Sequence, residues 1–374
     1  MIAACKREQY SSVIGKYRVR LHRVIFHSCT KKRFCTKFVQ NPFFVSYLFK
    51  NKKIEYGLKD CTEIFKQLNQ PGPSPNGGKM IKIIVDSCSD LTGDLLDEYD
   101  IDYARMNTVR DGVQTQASLR WEYYSPKELY GALRNGERIT TTQVPVEEFK
   151  RIFTLYLDQG MDIIYIGCAL KQSGSVNTGF VTAREILKDY PGRRIECIDA
   201  LNACIGEGML GILASKLNKE GKSFDEIVDT VKAKRNNVNE FCAVHTLDFL
   251  KRAGRVTASK AFFGNLMGVK PILTADAEGA QTPIKKAKGR MGSFTEMVNL
   301  MADAIENPED QFIFLAHADC SDEEVKTLSD MVKEKINCKG IIPIVIGPII
   351  GASIGPDAIG LWAFGKEVTY KAQA

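Results

Sequence analysis

The chain has 374 residues, a length that fits about two domains and an appendage. Its 44% hydrophobic and 26% charged residues are ordinary for a soluble globular protein with a substantial core. The formal net charge of +6 conceals an asymmetry: residues 1–79 carry 16 Lys/Arg against 4 Asp/Glu, whereas residues 80–374 carry 35 against 41. The body is therefore mildly acidic, which argues against nucleic-acid binding. The 11 Cys are odd in number and form no CxxC pair, so they suit neither a disulfide framework nor a zinc site and point to a reducing, cytoplasmic location. The apolar run Phe43–Phe49 is far shorter than the ~20 residues of a membrane span. Transient membrane contact is the most that such a sequence predicts, and no secretory signal opens it.

Residues 1–79 are basic and aromatic with weak periodicity, and they end in the Pro/Gly-rich stretch Gln70–Lys79. Regular patterning begins at Met80, and Gly77-Gly78-Lys79 before it can be encoded by a ribosome-binding site with a short spacer. The expectation is that Met80 is the native start and that 1–79 is an extension outside the functional protein. A basic arm and an organelle-targeting peptide are the alternatives.

From there short apolar runs alternate with helical patterns. Strands are predicted over Ile81–Val85, Asp162–Ile166 and Arg194–Ile198. Helices are predicted over Pro126–Arg134, Val146–Leu157, Gly174–Lys188, Ala203–Asn218 and Phe224–Lys234. This βαβ rhythm predicts a parallel sheet flanked by helices over residues 80–238. A second block, 239–374, offers strands at Phe241–Val244, Val269–Leu273, Thr282–Lys286, Gln311–Ala316, Ile341–Ile346 and Ile359–Phe364. Its helical patterns fall at Thr246–Lys251, Thr257–Leu266, Ser293–Ile305 and Asp322–Ile336, so it reads as α/β with a mixed sheet.

Three motifs invite functional readings that their context does not support. Gly206, Gly208 and Gly211 satisfy GxGxxG, but six residues separate them from the preceding strand, so they fall inside a helix rather than at a dinucleotide turn. Close helix packing is the plainer reading. Gly351, Ser353 and Gly355 satisfy GxSxG, but no His follows Ser353 to complete a hydrolase triad. His317 lacks a second ligand cluster and is read as structural, leaving no metal site and no cofactor in the expectation.

Three hydroxyl-rich turns remain: Asp86–Asp90 after the first strand, Thr140-Thr141-Thr142-Gln143 before a helix, and Ser173-Gly174-Ser175 between a strand and a helix. Ligands of open parallel sheets bind beyond the carboxyl ends of the strands, where helix N-termini offer free N–H groups and partial positive charge. Hydroxyls there add donors for a carboxylate or phosphate, although each turn could equally be a helix cap and nothing more. Arg252-Ala-Gly-Arg255 precedes an apolar stretch, Ala258–Leu273, that is either core or the lining of a tunnel.

The order of these motifs resembles the DegV family. The carriers of the resemblance are Val85–Leu91, Thr141-Thr142-Gln143, Ser173-Gly174-Ser175, Ile198-Asp199, Thr246–Val256, Gly268–Ile272, His317-Ala-Asp319 and Ile346–Pro356, across residues 80–368. The resemblance implies a two-domain α/β fold with a long-chain fatty acid buried between the domains. It implies a carrier subunit with no catalytic residues, whose partner is a separate fatty acid kinase catalytic subunit. Carried over by position, the head-group residues are Thr141, Thr142 (usually Ser), Ser173, Ser175 (usually Thr) and Arg255. Ser353 stands where the family often has a His, so a hydroxyl replaces a titratable cation there. An enzyme or sensor that binds a small phosphate- or carboxylate-bearing metabolite at the same turns is the alternative.

Overall fold

A computed structural model of the protein describes residues 80–256 and 268–372. The expected helix Thr257–Leu266, most of the apolar stretch Ala258–Leu273, and the whole 1–79 segment lie outside the described residues.

The first block is built on a four-stranded parallel sheet, ordered β2-β1-β6-β7, from β1 (Ile81–Asp86), β2 (Ile101–Ala104), β6 (Asp162–Gly167) and β7 (Ile195–Asp199). The central strands β1 and β6 are buried almost throughout, as expected for a parallel sheet covered on both faces. Flanking it are α1 (Gly93–Tyr99), α2 (Pro126–Arg134), α3 (Val146–Leu157), α4 (Ser175–Ile186), α5 (Ile205–Lys219) and α6 (Phe224–Lys234). Capping boxes start α2 (Ser125 with Glu128) and α6 (Ser223 with Glu226). Helix α3 buries Phe149, Ile152, Phe153 and Leu157, an i, i+3, i+4, i+8 stripe that packs beneath the sheet.

The second block is a six-stranded mixed sheet ordered β10-β9-β8-β13-β11-β12. Its strands are β8 (Val238–Ala243), β9 (Val269–Ala275), β10 (Gln281–Lys288), β11 (Phe312–His317), β12 (Gly340–Val345) and β13 (Ile359–Phe364). Only β11 and β12 pair in parallel; the other neighbours are antiparallel. Its helices are α7 (Asp248–Ala253), α8 (Gly289–Ala304), α9 (Asp322–Lys335) and α10 (Pro348–Ile354). Among the described residues, no helix is long and apolar enough to cross a membrane.

Helix α1 and the edge strand β2 fall in a stretch to which the sequence reading assigns no element, and two further features differ from it. A three-stranded antiparallel sheet, β4-β3-β5, is formed by β3 (Asn107–Arg110), β4 (Val113–Gln116) and β5 (Ile139–Thr142). Its strands have only four residues each and are half exposed, so they carry no apolar signature. Their hairpin turn does have one: Asp111-Gly112, both at positive φ (52° and 78°). The stretch around Ser353, to which the sequence reading assigns no element, forms the short helix α10, with Pro348 at its first position.

The glycines of GxGxxG lie within α5, as their distance from the strand required. A Cβ on Gly208 would sit 2.7 Å from the Ser89 carbonyl oxygen, and one on Gly211 2.8 Å from Val85. Their role is to seat α5 against β1. His317 is structural: its Nδ1 accepts the Cys320 N–H at 3.2 Å.

The two sheets share one apolar core, which runs from Ile83, Val85 and Ile166 through α5 to Cys242, Leu273, Ile346 and Trp362. Polar contacts fasten the same junction. Tyr130 Oη donates to the Ile346 carbonyl at 2.7 Å, and the Gly347 N–H donates to Asp90 Oδ1 at 2.9 Å. Arg134 pairs with Asp319 and Asp357 at 2.5 and 2.6 Å. These bonds position the β12–α10 corner, and with it Ser353, against the first block.

Candidate functional site

A cavity of about 140 Å³ opens between the two sheets. The first block lines it with Thr141, Thr142 and Gln143 at the end of β5, Gln172, Ser173 and Gly174 ahead of α4, and Cys88, Cys168 and Cys204. The second block contributes Glu240, Leu250, Arg255, Gln281, Ile349, Ile350, Ser353 and Trp362. A second cavity of about 210 Å³ shares Thr141, Arg255 and Ser353 as lining residues, so these three stand where the two meet.

Of the residues expected at the head group, Thr141, Thr142, Ser173, Arg255 and Ser353 come together around this cavity. Ser175 is not among the lining residues; it is fully buried, and its role is one step removed. Its Oγ accepts the Val144 N–H at 3.1 Å and lies 3.0 Å from Ser173 Oγ. Either hydroxyl can donate across that contact, and Ser173 Oγ also accepts the Ser175 N–H at 3.3 Å. When Ser175 is the donor, Ser173 keeps its own O–H for the cavity that it lines. The relay sits at the N-terminus of the twelve-residue α4, where backbone N–H groups and the helix dipole favour an anion. Gly174 lets the Gln143 side chain pack close, since a Cβ there would sit 2.2 Å from Gln143 Oε1. Gln143 in turn donates to Thr178 Oγ1 at 2.8 Å, which ties the threonine turn to α4.

Thr142 Oγ1 donates to the Gln143 carbonyl at 3.3 Å, whereas the Thr141 hydroxyl makes no hydrogen bond among the described residues. Arg255 follows α7, which ends at Gly254 with φ 67°. Its Nε donates to the Gln172 carbonyl at 2.8 Å and its Nη1 to the Ala253 carbonyl at 2.5 Å, leaving further N–H groups for a ligand. Ser353 differs from the expectation: its O–H donates back along α10 to the Ile349 carbonyl at 3.2 Å. In that rotamer it presents lone pairs, not a proton, to an anion.

The first hydroxyl turn, Asp86–Asp90, plays a different part from the one its sequence suggested. Ser87 Oγ donates to the Ala117 carbonyl and Ser89 is buried, so neither lines the cavity. Asp86 is buried, with Oδ1 taking the Cys88 N–H and Oδ2 taking the Tyr165 hydroxyl, both at 2.8 Å. Glu207 accepts the Asp86 N–H at 2.9 Å. Burial raises the pKa of both carboxyls, that of Glu207 strongly. The turn is a buried, hydrogen-bonded brace that reaches the cavity only through Cys88. Ligand-capable atoms of Cys88, Cys168 and Glu207 lie within 4.8 Å of one another. The Cys88 thiol, next to Cys168 and buried, is also pushed well up.

Sequence reasoning missed the polar wall contributed by Glu240, Gln281 and Trp362. Burial pushes the Glu240 carboxyl up to about 7, partly offset by the Gln281 amide bonded to it and by the nearby Trp362 indole N–H, which lies outside hydrogen-bond geometry. The signal was a glutamate inside an otherwise apolar strand, and the predicted strand started one residue too late to include it.

A family model described as "Uncharacterised protein, DegV family" matches residues 80–366. A DegV domain-containing protein of Clostridium perfringens is 33% identical over 287 residues, covering 77% of this chain and 98% of the relative. A fatty-acid-binding DegV family protein from Thermus thermophilus superposes with a TM-score of 0.69 at 26% identity, over 77% of this chain and 100% of that one. DegV, a fatty acid binding protein from Bacillus subtilis, shares the fold with a TM-score of 0.67 at 20% identity, over the same shares of the two chains.

Proposed function

The chain belongs to the DegV family, and from that premise we propose that it binds a long-chain fatty acid between its two sheets and presents the carboxylate to a partner fatty acid kinase. The observation that carries the reading is the chain of contacts from Val144 through Ser175 to Ser173, which sets a hydroxyl on the lining of a cavity shared with Thr141 and Arg255. The structural relative from Thermus thermophilus, described as binding fatty acid, supports it. So do the lipophilic lining residues Leu250, Ile349 and Ile350 beyond the polar end.

The energetics fit an amphiphile. At ~0.8 kcal/mol for each buried CH₂, about 14 methylenes supply on the order of 11 kcal/mol before ordering costs. An unpaired buried carboxylate is prohibitive, so the head group must be hydrogen-bonded or paired. Ser173, Thr141 and the helix N-terminus act as donors, Arg255 supplies the positive charge, and Thr142 and Gln143 hold the turn in place. In this role the chain binds and orients, and bond-making falls to the kinase, which transfers phosphate to the carboxylate and forms an acyl phosphate. Ser353, with its proton committed to Ile349, gives the head group no cation, so Arg255 carries that part alone on this side. The division into 80–238 and 239–374, after an extension of 1–79, belongs to the same proposal.

Mass spectrometry of lipid extracted from purified protein tests the reading. A long-chain acid in near-stoichiometric amount is expected, together with acyl phosphate formation when a fatty acid kinase and ATP are added. A protein that extracts empty, takes up no added acid and binds inorganic phosphate instead would overturn it in favour of a phosphate-handling enzyme.

A further inference from the structure

The polar wall on the second sheet carries an inference that rests on the fatty-acid reading and narrows it. Glu240 on β8 and Trp362 on β13 are directly paired across the two strands, and Gln281 starts β10. They are 1%, 1% and 8% exposed, and all three line the cavity. Gln281 Nε2 donates to Glu240 Oε1 at 2.5 Å. That one bond leaves Glu240 Oε2, Gln281 Oε1 and Trp362 Nε1 without a hydrogen-bond partner among the described residues. Three orphaned polar atoms from three strands converge on one wall of a cavity that has an apolar tail to receive.

A plain methylene chain would satisfy none of them and would bury all three at the full desolvation cost. A carbonyl on the chain accepts only, so the Gln281 oxygen would stay unpaired. A hydroxyl has one proton to give and two lone pairs to offer, which matches an amide oxygen, an indole N–H and a carboxyl oxygen. Glu240, its pKa raised to about 7, is protonated in about half of the molecules near neutral pH and in that form donates to the ligand hydroxyl. We propose that the protein selects fatty acids bearing a hydroxyl along the chain, recognised by Glu240, Gln281 and Trp362 at a subsite separate from the head group.

The test uses the delipidated full-length chain, titrated with octadecanoate and with the positional series of monohydroxyoctadecanoates. At least one hydroxylated isomer is expected to bind about tenfold or more tightly than octadecanoate, because a site built around a hydroxyl discriminates strongly against its absence. Glu240→Leu and Gln281→Leu, tested separately, are expected to bring the ratio of hydroxylated to plain octadecanoate affinity down to about one; a ratio unchanged in both variants would overturn the assignment of these residues. If octadecanoate binds as tightly as every hydroxylated isomer in the unaltered protein, the hydroxyl subsite is overturned and the fatty-acid reading stands. If no acyl chain binds at all, both fall.

Discussion

Asp90 is a carboxyl whose protonation should be visible in the stability of the whole protein. It is 2% exposed; its Oδ1 takes the Gly347 N–H at 2.9 Å, and its Oδ2 has no partner among the described residues. Burial pushes its pKa from the ordinary 3.8 up to about 7, against the smaller opposing effects of the Cys204 thiol and the Gly347 N–H. At about 1.4 kcal/mol for each tenfold change in proton affinity, that rise is worth about 4 kcal/mol. The folded protein keeps a proton that the unfolded chain releases. The stabilisation is therefore fully present below about pH 4, is lost as pH climbs to about 7, and changes no further above that. Asp90→Asn keeps an oxygen for Gly347 and cannot titrate. Urea unfolding across this range should show wild-type stability falling with pH and the variant falling by about 4 kcal/mol less. Asp86, Glu207 and Glu240 are raised as well and tilt both curves in the same direction, so the difference between the curves is the quantity to measure. Parallel curves would refute the burial argument for Asp90.

Ser173→Ala removes the donor at the end of the relay and should weaken acyl binding by about 2 kcal/mol, the worth of a hydrogen bond to a charged group. Lipid retention on purification reads this out, and full occupancy in the variant would count against the head-group placement. Tyr130→Phe leaves the Ile346 carbonyl without its 2.7 Å partner and should cost about 1–3 kcal/mol in denaturant unfolding; an unchanged midpoint would show that the bond contributes nothing net. Gly355→Ala places a side chain at φ 82° and drives its Cβ to 2.3 Å from the Phe249 ring. A loss of at least about 1–3 kcal/mol, seen as a lowered melting temperature, is expected, and a neutral outcome would mean that the α10 corner yields easily.

Much of this molecule was legible in its sequence because its signals are local. The amphipathic stripes of α2, α3 and α6 fix those helices at Pro126–Arg134, Val146–Leu157 and Phe224–Lys234, as the periodicity predicted. The small β4-β3-β5 sheet escaped because four-residue, half-exposed strands have no periodicity to read, and only Asp111-Gly112 announced it. Helix α10 escaped because its two flanking glycines look like turn residues until Ile346 and Gly347 are seen bonded to Tyr130 and Asp90. At the site, Ser173, Thr141 and Arg255 were found by motif. Ser175 is separated from the cavity by a single hydrogen bond, which no spacing rule distinguishes from direct contact. The Glu240 wall was invisible because its members lie on three strands far apart in the chain, and register alone brings them together.

The bond between Asp90 and the Gly347 N–H spans 257 residues. On a ribosome, the first block emerges and can form its parallel sheet long before β12 and α10 exist. Throughout that interval the carboxyl of Asp90 lacks its partner and its covering wall. The nascent first block is thus a receptacle with one side missing, exposing the apolar face that later becomes the shared core. Any chain that stops short of residue 347 would lack both the clamp and the cavity. A ligand of that cavity could therefore be loaded only after translation is nearly complete.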